Sequence, residues 1–283
     1  MATRFEILIV APPTPRLQAI AEEALDEIER IEAQLSFYRP TSEISALNRD
    51  ASHRPVRVNP EVFQLLQRAE SFSQETQGAF DVTVAPLLHA WGFVGGTGHG
   101  PSTSELEAAR SRVGFQHLRF DHENQTVEFD HSGVQIDLGS IGKGYALDRA
   151  VGILRDHEIT SALLHGGTST IVAMGCDGEG NPWKVALPKS PETTEKEPVV
   201  VQLQDASLSV SAVWGKSFDA FGKRFGHIID PTTGEPAQSA SWAAVAHPSA
   251  TVTDAISTGL LVRGQSILPE LMRTYPTMRA WTG

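Results

Sequence analysis

The chain has 283 residues and 40% apolar content, enough for one large domain or two closely joined halves around a substantial core. A formal net charge of −11, with no lysine and arginine cluster interleaved with aromatics, argues against a nucleic-acid partner. The single cysteine, Cys176, excludes an intrachain disulfide and cannot build a thiolate metal site, so structural zinc is not expected; no run approaches the roughly 20 apolar residues of a membrane span, and no charged leader with an apolar core precedes the first strand, so a cytoplasmic protein is expected.

Glu6 to Val10 reads as an opening strand that Pro12-Pro13 ends. From Thr14 as N-cap and Pro15 in the first turn, apolar residues recur at Leu17, Ile20, Ala21, Ala24, Leu25, Ile28, Ile31 and Leu35, the period of an amphipathic helix. Ser36 to Asn48 is polar and irregular, a predicted loop. Asn59-Pro60 opens a second helix that stops before Gly78, and a further loop carries Ala79 to Phe93 and a glycine-rich segment from Gly95 to Gly100. Ser102 with Glu105 forms a capping box for a third helix.

Three extended runs, His117 to Phe120, Thr126 to Phe129 and Val134 to Asp137, predict an antiparallel meander, and the third feeds a helix that reaches about His157. Ser161 to His165 and Thr170 to Met174 flank Gly166-Gly167 as a hairpin. Trp183 to Leu187 is a strand, Pro188 to Pro198 a surface loop, and Val199 to Leu203, Ser207 to Val213 and Trp242 to Ala246 continue the β pattern. A helix capped by Thr251 or Thr253 and a last amphipathic piece from Ile267 to Met272 close the chain. Strands in runs, with helices grouped between them, favour an α+β fold of antiparallel sheets over a doubly wound parallel sheet.

Chemistry concentrates in Gln135-Ile136-Asp137-Leu138-Gly139-Ser140-Ile141-Gly142-Lys143-Gly144-Tyr145-Ala146-Leu147-Asp148, which runs from a short extended run into a helix. Here glycines, free N–H groups at a helix start and the Lys143 charge could face a phosphate. The same glycines could equally serve tight helix packing, with Lys143 a surface lysine. This is neither a P-loop, since Asp137 replaces the first glycine and Gly144 follows the lysine, nor the G-x-G-x-x-G dinucleotide fingerprint. Asp254 and Thr258 lie one helical turn apart with Ser257 beside them, a set of hard oxygen donors suited to magnesium, although such residues near a helix start commonly act as caps. His227, ahead of a Pro/Gly turn, is a candidate general base or a plain strand residue. The other histidines show no metal-binding spacing and no G-x-S-x-G elbow exists, so neither an imidazole-built metal site nor a serine hydrolase is expected.

In order along the chain, Met1 to Phe5, Tyr38 with Ser42-Glu43-Ile44, Gly78 to Thr83 with Trp91-Gly92-Phe93, Asp137 to Tyr145, His227 to Pro231 with Thr233-Gly234, and Asp254 to Thr258 resemble six sequence blocks of the ApbE-like family, the FAD:protein FMN transferases. The resemblance implies a single flavin transferase domain over residues 1–283. It implies an FAD site lined by Met1, Tyr38, Ala79, Phe80, Asp81, Asp137, Lys143 and Ile228. Magnesium would be held by the Ser140 carbonyl, Asp254 and Thr258, with Ser257 adjacent. The implied reaction moves FMN from FAD to a threonine or serine hydroxyl of an acceptor flavoprotein and releases AMP. Two departures stand out: Thr168 follows Gly166-Gly167 where the family usually has an acidic or amide residue, and Ser211-Ala212 replaces a Ser-Gly pair. An FAD pyrophosphatase giving FMN and AMP, or a non-catalytic FAD-binding or delivery protein, are the alternatives.

Overall fold

The computed structural model describes residues 3–96, 98–187, 199–215, 217–220 and 223–283; Met1 and the predicted loop at 188–198 lie outside the described residues. The strands β1 (Phe5–Ile9), β5 (Ala162–Gly166), β6 (Thr170–Met174), β9 (Ala206–Ala212), β12 (Trp242–His247) and β13 (Arg279–Thr282) form a six-stranded sheet in the order β1-β5-β6-β9-β12-β13. Every neighbouring pair in it is antiparallel. This is the predicted fold class.

The two faces of the sheet are covered differently, and β12 shows why. Its side chains alternate between faces. Ala243 and Val245 pack with the helices α1 (Pro15–Leu35), α6 (Gly142–Asp156) and α7 (Ala250–Arg263) in the large core. Ala244 and Ala246 meet Trp183, Leu187, Val201 and Leu203 from the hairpin β7 (Trp183–Ala186) and β8 (Val200–Leu203) on the other side. A strand buried on both faces loses the polar-apolar alternation of a surface strand, which is why this stretch is uniformly small and apolar.

Helix α7 is the central pillar. Residues from Ala250 to Ser257 are all buried, so these first two turns have no solvent face, and the helix packs against β9, β12 and α6. Its cap differs from the expectation: Ser249 accepts from the Val252 N–H at 3.4 Å, while Thr251 and Thr253 are buried inside the helix. The carboxylate of Asp148 on α6 completes this end. It accepts from the Ser249 hydroxyl at 2.7 Å, the Ala250 N–H at 2.7 Å, the Thr251 N–H at 2.9 Å and the Thr251 hydroxyl at 2.6 Å. One acidic side chain thus satisfies several donors that a helix start leaves open and complements its dipole.

Several local expectations are corrected. Ser36 to Asn48 is not all loop: Ser42 accepts from the Ser45 N–H and starts α2 (Glu43–Asp50), whose short apolar face of Ile44 and Leu47 gave too few repeats to register a helical period. Val134 to Asp137 belongs to no strand or sheet. The Asn48 side-chain amide accepts from the Ile136 N–H through Oδ1 at 2.7 Å and donates from Nδ2 to the Ile136 carbonyl at 2.8 Å, taking the place of a neighbouring strand. The small sheet instead pairs β2 (Val56–Arg57), β4 (Thr126–Phe129) and β3 (Leu118–Asp121). The predicted second and third helices are α3 (Pro60–Glu75) and α5 (Thr103–Arg110), and between them α4 (Ala85–Ala90) occupies part of the expected loop. The hairpin β10 (Ser217–Ala220) and β11 (Lys223–Gly226) was not anticipated, and α8 (Leu268–Thr274) precedes β13. No described helix is long and apolar enough to cross a membrane.

Candidate active site

The start of α6 and the first turns of α7 touch, and the glycines decide how closely. A Cβ on Gly144 would sit 2.1 Å from the Ala250 carbonyl oxygen and 2.9 Å from Asp254 Cβ. Only glycine permits this approach. The reward is a bond between the helices: the Gly144 N–H donates to Asp254 Oδ2 at 3.0 Å. Packing is therefore the part that Gly144 plays, and the helix start is turned toward a carboxylate of its own chain.

Lys143 is no surface lysine. Its Nζ lies 3.2 and 3.4 Å from the two oxygens of Asp254 and 3.4 Å from the Gly139 carbonyl oxygen. The side chains of Lys143 and Asp254 are 19% and 6% exposed, so the pair is largely withdrawn from water, where its attraction is screened far less than on the surface. The Thr170 hydroxyl, from β6, adds a donor to Asp254 Oδ1 at 3.3 Å. One turn along α7, the Thr258 and Ser257 hydroxyls both donate back to the Asp254 carbonyl oxygen at 3.2 Å, and Ser211 Oγ lies 2.9 Å from Ser257 Oγ and 3.2 Å from Thr258 Oγ1.

These groups form one wall of a cleft of about 760 Å³. Its lining brings together Tyr38, Ala79, Asp81, Asp137, Ser140, Lys143, His227, Ile228, Asp254 and Thr258, drawn from regions far apart in sequence. Thr168, Ser211 and Ala212, where the chain departs from the family pattern, lie on the same cleft. Two expected residues do not. Phe80 is fully buried with its ring edge-on to Phe72, because its main-chain N–H is tied to the Thr76 hydroxyl at 3.0 Å and turns the ring into the core. Ser257 is fully buried behind the wall, held by Ser211 and the helix main chain. Met1 lies outside the described residues.

Tyr38 is 66% exposed at the rim and Ile228 is half-buried, giving the cleft apolar surfaces beside its polar end. Asp81 is buried, and burial pushes its carboxyl up to about 6, against hydrogen bonds from the Thr83 N–H and hydroxyl that favour the ionised form. Asp137 is fixed by accepting from the Gly139 N–H at 2.8 Å, while its own N–H donates to the Val82 carbonyl at 2.7 Å.

His227 is placed by aromatic packing. The Trp91 indole N–H donates to the Gly234 carbonyl at 2.7 Å, pinning the turn after His227, and Trp91 and Phe93 pack on Phe218 and Phe225 of the β10–β11 hairpin. The Phe93 ring meets the His227 imidazole edge-on at 6.5 Å. The Trp91-Gly92-Phe93 block thus supports the cleft from behind. Thr170 escaped sequence reasoning, and Asp148, which closes the glycine and lysine stretch, received no role there: a hydroxyl in a strand and an acid in mid-helix carry no signal until the fold shows what they face.

Among the described lining residues the only lysine or arginine is Lys143, against Glu32, Asp81, Asp137 and Asp254. An anionic ligand entering here needs more positive charge than the side chains supply. Asp254, Thr258 and Ser140 offer oxygen donors on one wall, the chemistry a magnesium ion takes, so the residues fit that ion.

The chain matches the ApbE family over residues 1–281. It is 30% identical over 282 residues to the FAD:protein FMN transferase of Treponema pallidum, covering 95% of this chain and 78% of that protein. The enzyme of the same name from Klebsiella pneumoniae is 28% identical over 280 residues, with 96% and 79% of the two chains covered. The crystal structure of the ApbE protein from Thermotoga maritima superposes with a TM-score of 0.85 at 30% identity, covering 98% of this chain and 90% of that one.

Proposed function

The chain belongs to the ApbE family, and from that premise and the geometry of the cleft we propose that it is a magnesium-dependent FAD:protein FMN transferase. The observation that carries the reading is the convergence of Lys143 from α6 with Asp254 and Thr258 from α7 at the polar end of a cleft whose other walls are partly apolar. Such a site suits a ligand with an aromatic body and a diphosphate. The flavin lies against Tyr38, Ala79 and Ile228, and the diphosphate reaches the Lys143 end.

A hydroxyl oxygen of a threonine or serine on the acceptor flavoprotein attacks the phosphorus of the FMN half. The new P–O bond forms as the bond to the bridging diphosphate oxygen breaks, and that oxygen leaves on AMP. His227 takes the hydroxyl proton, and Lys143 neutralises charge that builds on the departing phosphate. Magnesium, held by Asp254, Thr258 and the Ser140 carbonyl, would supply further charge neutralisation and alignment of the diphosphate. Asp254 keeps the Lys143 ammonium at the cleft wall, and Gly144 and Thr170 hold Asp254.

The test is incubation with FAD and magnesium, with and without an acceptor protein, followed by intact mass and nucleotide chromatography. The expected result is one FMN mass added to the acceptor with release of AMP. Free FMN and AMP without an adduct would replace the transferase with a pyrophosphatase. FAD left intact beside a competent acceptor would leave a flavin-binding protein.

A further inference from the structure

We propose that His117, Asp130 and His131 form a second metal site, outside the cleft, that takes a zinc-class divalent cation. His117 ends the turn before β3, and Asp130 and His131 follow β4. The β3–β4 pairing, with Leu118 opposite Phe129, sets these flanking residues side by side, and the Asp130 N–H donates to the His117 carbonyl at 3.0 Å. Both imidazoles turn the same ring atom onto one carboxylate. His117 Nδ1 is 3.1 Å from each oxygen of Asp130, and His131 Nδ1 is 2.5 Å from Oδ1. The two rings pack edge to face, at 84° with centroids 4.6 Å apart.

An ordinary histidine–aspartate pair needs one imidazole. Here one ligand atom from each of the three residues falls within 4.8 Å of the others. Ligand atoms around a tetrahedral zinc ion, at about 2.0–2.1 Å from the metal, stand about 3.3 Å apart. The His117–Asp130 separation is already close to that value, and the shorter His131 contact opens when an ion replaces the shared proton. Two imidazole nitrogens with one carboxylate oxygen favour zinc over magnesium, which prefers oxygen alone. Asp130 is exposed and both histidines are half-buried, so an ion enters from solvent and a water completes its coordination. The chain's net charge of −11 draws cations toward it. The linear spacing of the histidines gave no hint of this; strand pairing creates it.

The experiment is calorimetric titration of zinc into the chelator-treated full chain at neutral pH, in saturating magnesium to mask the oxygen donors of the cleft. One equivalent of zinc is expected, bound at least about tenfold more weakly by His131→Ala and by Asp130→Asn, since each loses a ligand. Asp254→Ala and Cys176→Ser should bind it as the parent does. Both altered residues reach the surface, and circular dichroism confirms that the variants fold. A parallel imidazole-nitrogen NMR titration should shift His117 and His131 signals together. No zinc uptake by the parent, undiminished uptake by both His131→Ala and Asp130→Asn, or uptake lost in Asp254→Ala would overturn the site.

Discussion

Substituting Gly144 by alanine tests the contact on which the cleft is built. The new methyl would lie 2.1 Å from the Ala250 oxygen and 2.6 Å from its carbonyl carbon, where ordinary contact begins at 3.4 Å. Neither partner is a side chain that can swing away, so α6 and α7 must separate by about 1 Å, an overpacking that costs roughly 1–3 kcal/mol. Separation also strains the Gly144 N–H to Asp254 bond, whose loss from a buried carboxylate costs about 1.5–3 kcal/mol. Better helix propensity returns about 1 kcal/mol. The net expectation is a loss of about 1.5–5 kcal/mol, read from urea unfolding as a lower midpoint at constant slope.

The same helix supplies the control. Gly152 has open space around its Cβ position, so Gly152→Ala should stabilise by up to about 1 kcal/mol. FAD affinity measured on the same samples should fall in Gly144→Ala and hold in Gly152→Ala. Equal stability of the two variants would refute the argument that the α6–α7 approach requires glycine.

Other expectations concern single groups. Asp81 has an ordinary value of 3.8 and is raised to about 6 in the fold, so the native state binds its proton more tightly between those values. Its contribution is fully present below 3.8 and is lost as pH rises through about 6. Asp81→Asn keeps an acceptor for Thr83, and should therefore be more stable than the parent at neutral pH by up to about 3 kcal/mol, with the gap closing near pH 4; a pH series of chemical denaturation reads it. Asp148→Ala strips the start of α7 of its carboxylate partner and should lower stability by about 3 kcal/mol, with Asp148→Asn recovering part of it in thermal melts. Asp254→Ala should reduce magnesium-dependent turnover by about 10²–10³ or more while FAD-independent folding is checked by circular dichroism; undiminished turnover would remove Asp254 from the site.

Elements with a strong local period were legible in the sequence. Helix α1 begins at Pro15 after its Thr14 cap and ends at Leu35 because the apolar stripe repeats over the whole span. The β5–β6 hairpin and the strand character of β9 and β12 were equally plain, since short apolar runs bounded by turn residues mark a strand whatever it pairs with. Short elements such as α2 and α4 offered too few turns to show a period, and Val134 to Asp137 read as a strand because Val134 and Ile136 alternate with polar residues, though the Asn48 side chain rather than a strand pairs with Ile136.

Residue chemistry in the cleft was legible in kind: an anion-compatible glycine and lysine stretch, hard oxygens on a helix, and a histidine before a turn. What each residue faces was not. Two readings of Lys143 and its glycines were level on sequence, and only the tertiary approach of α6 to α7 made Gly144 a packing residue and Lys143 the ion-pair partner of Asp254. Phe80 and Ser257 sit in blocks that reach the cleft, yet their side chains point into the core, because side-chain direction depends on rotation about a helix or turn that sequence order does not fix. Periodicity is a local property and a chain carries it within one element. A cleft wall, a bridging carboxylate such as Asp148 or a histidine pair across β3 and β4 is a relation between elements, decided only when they pack.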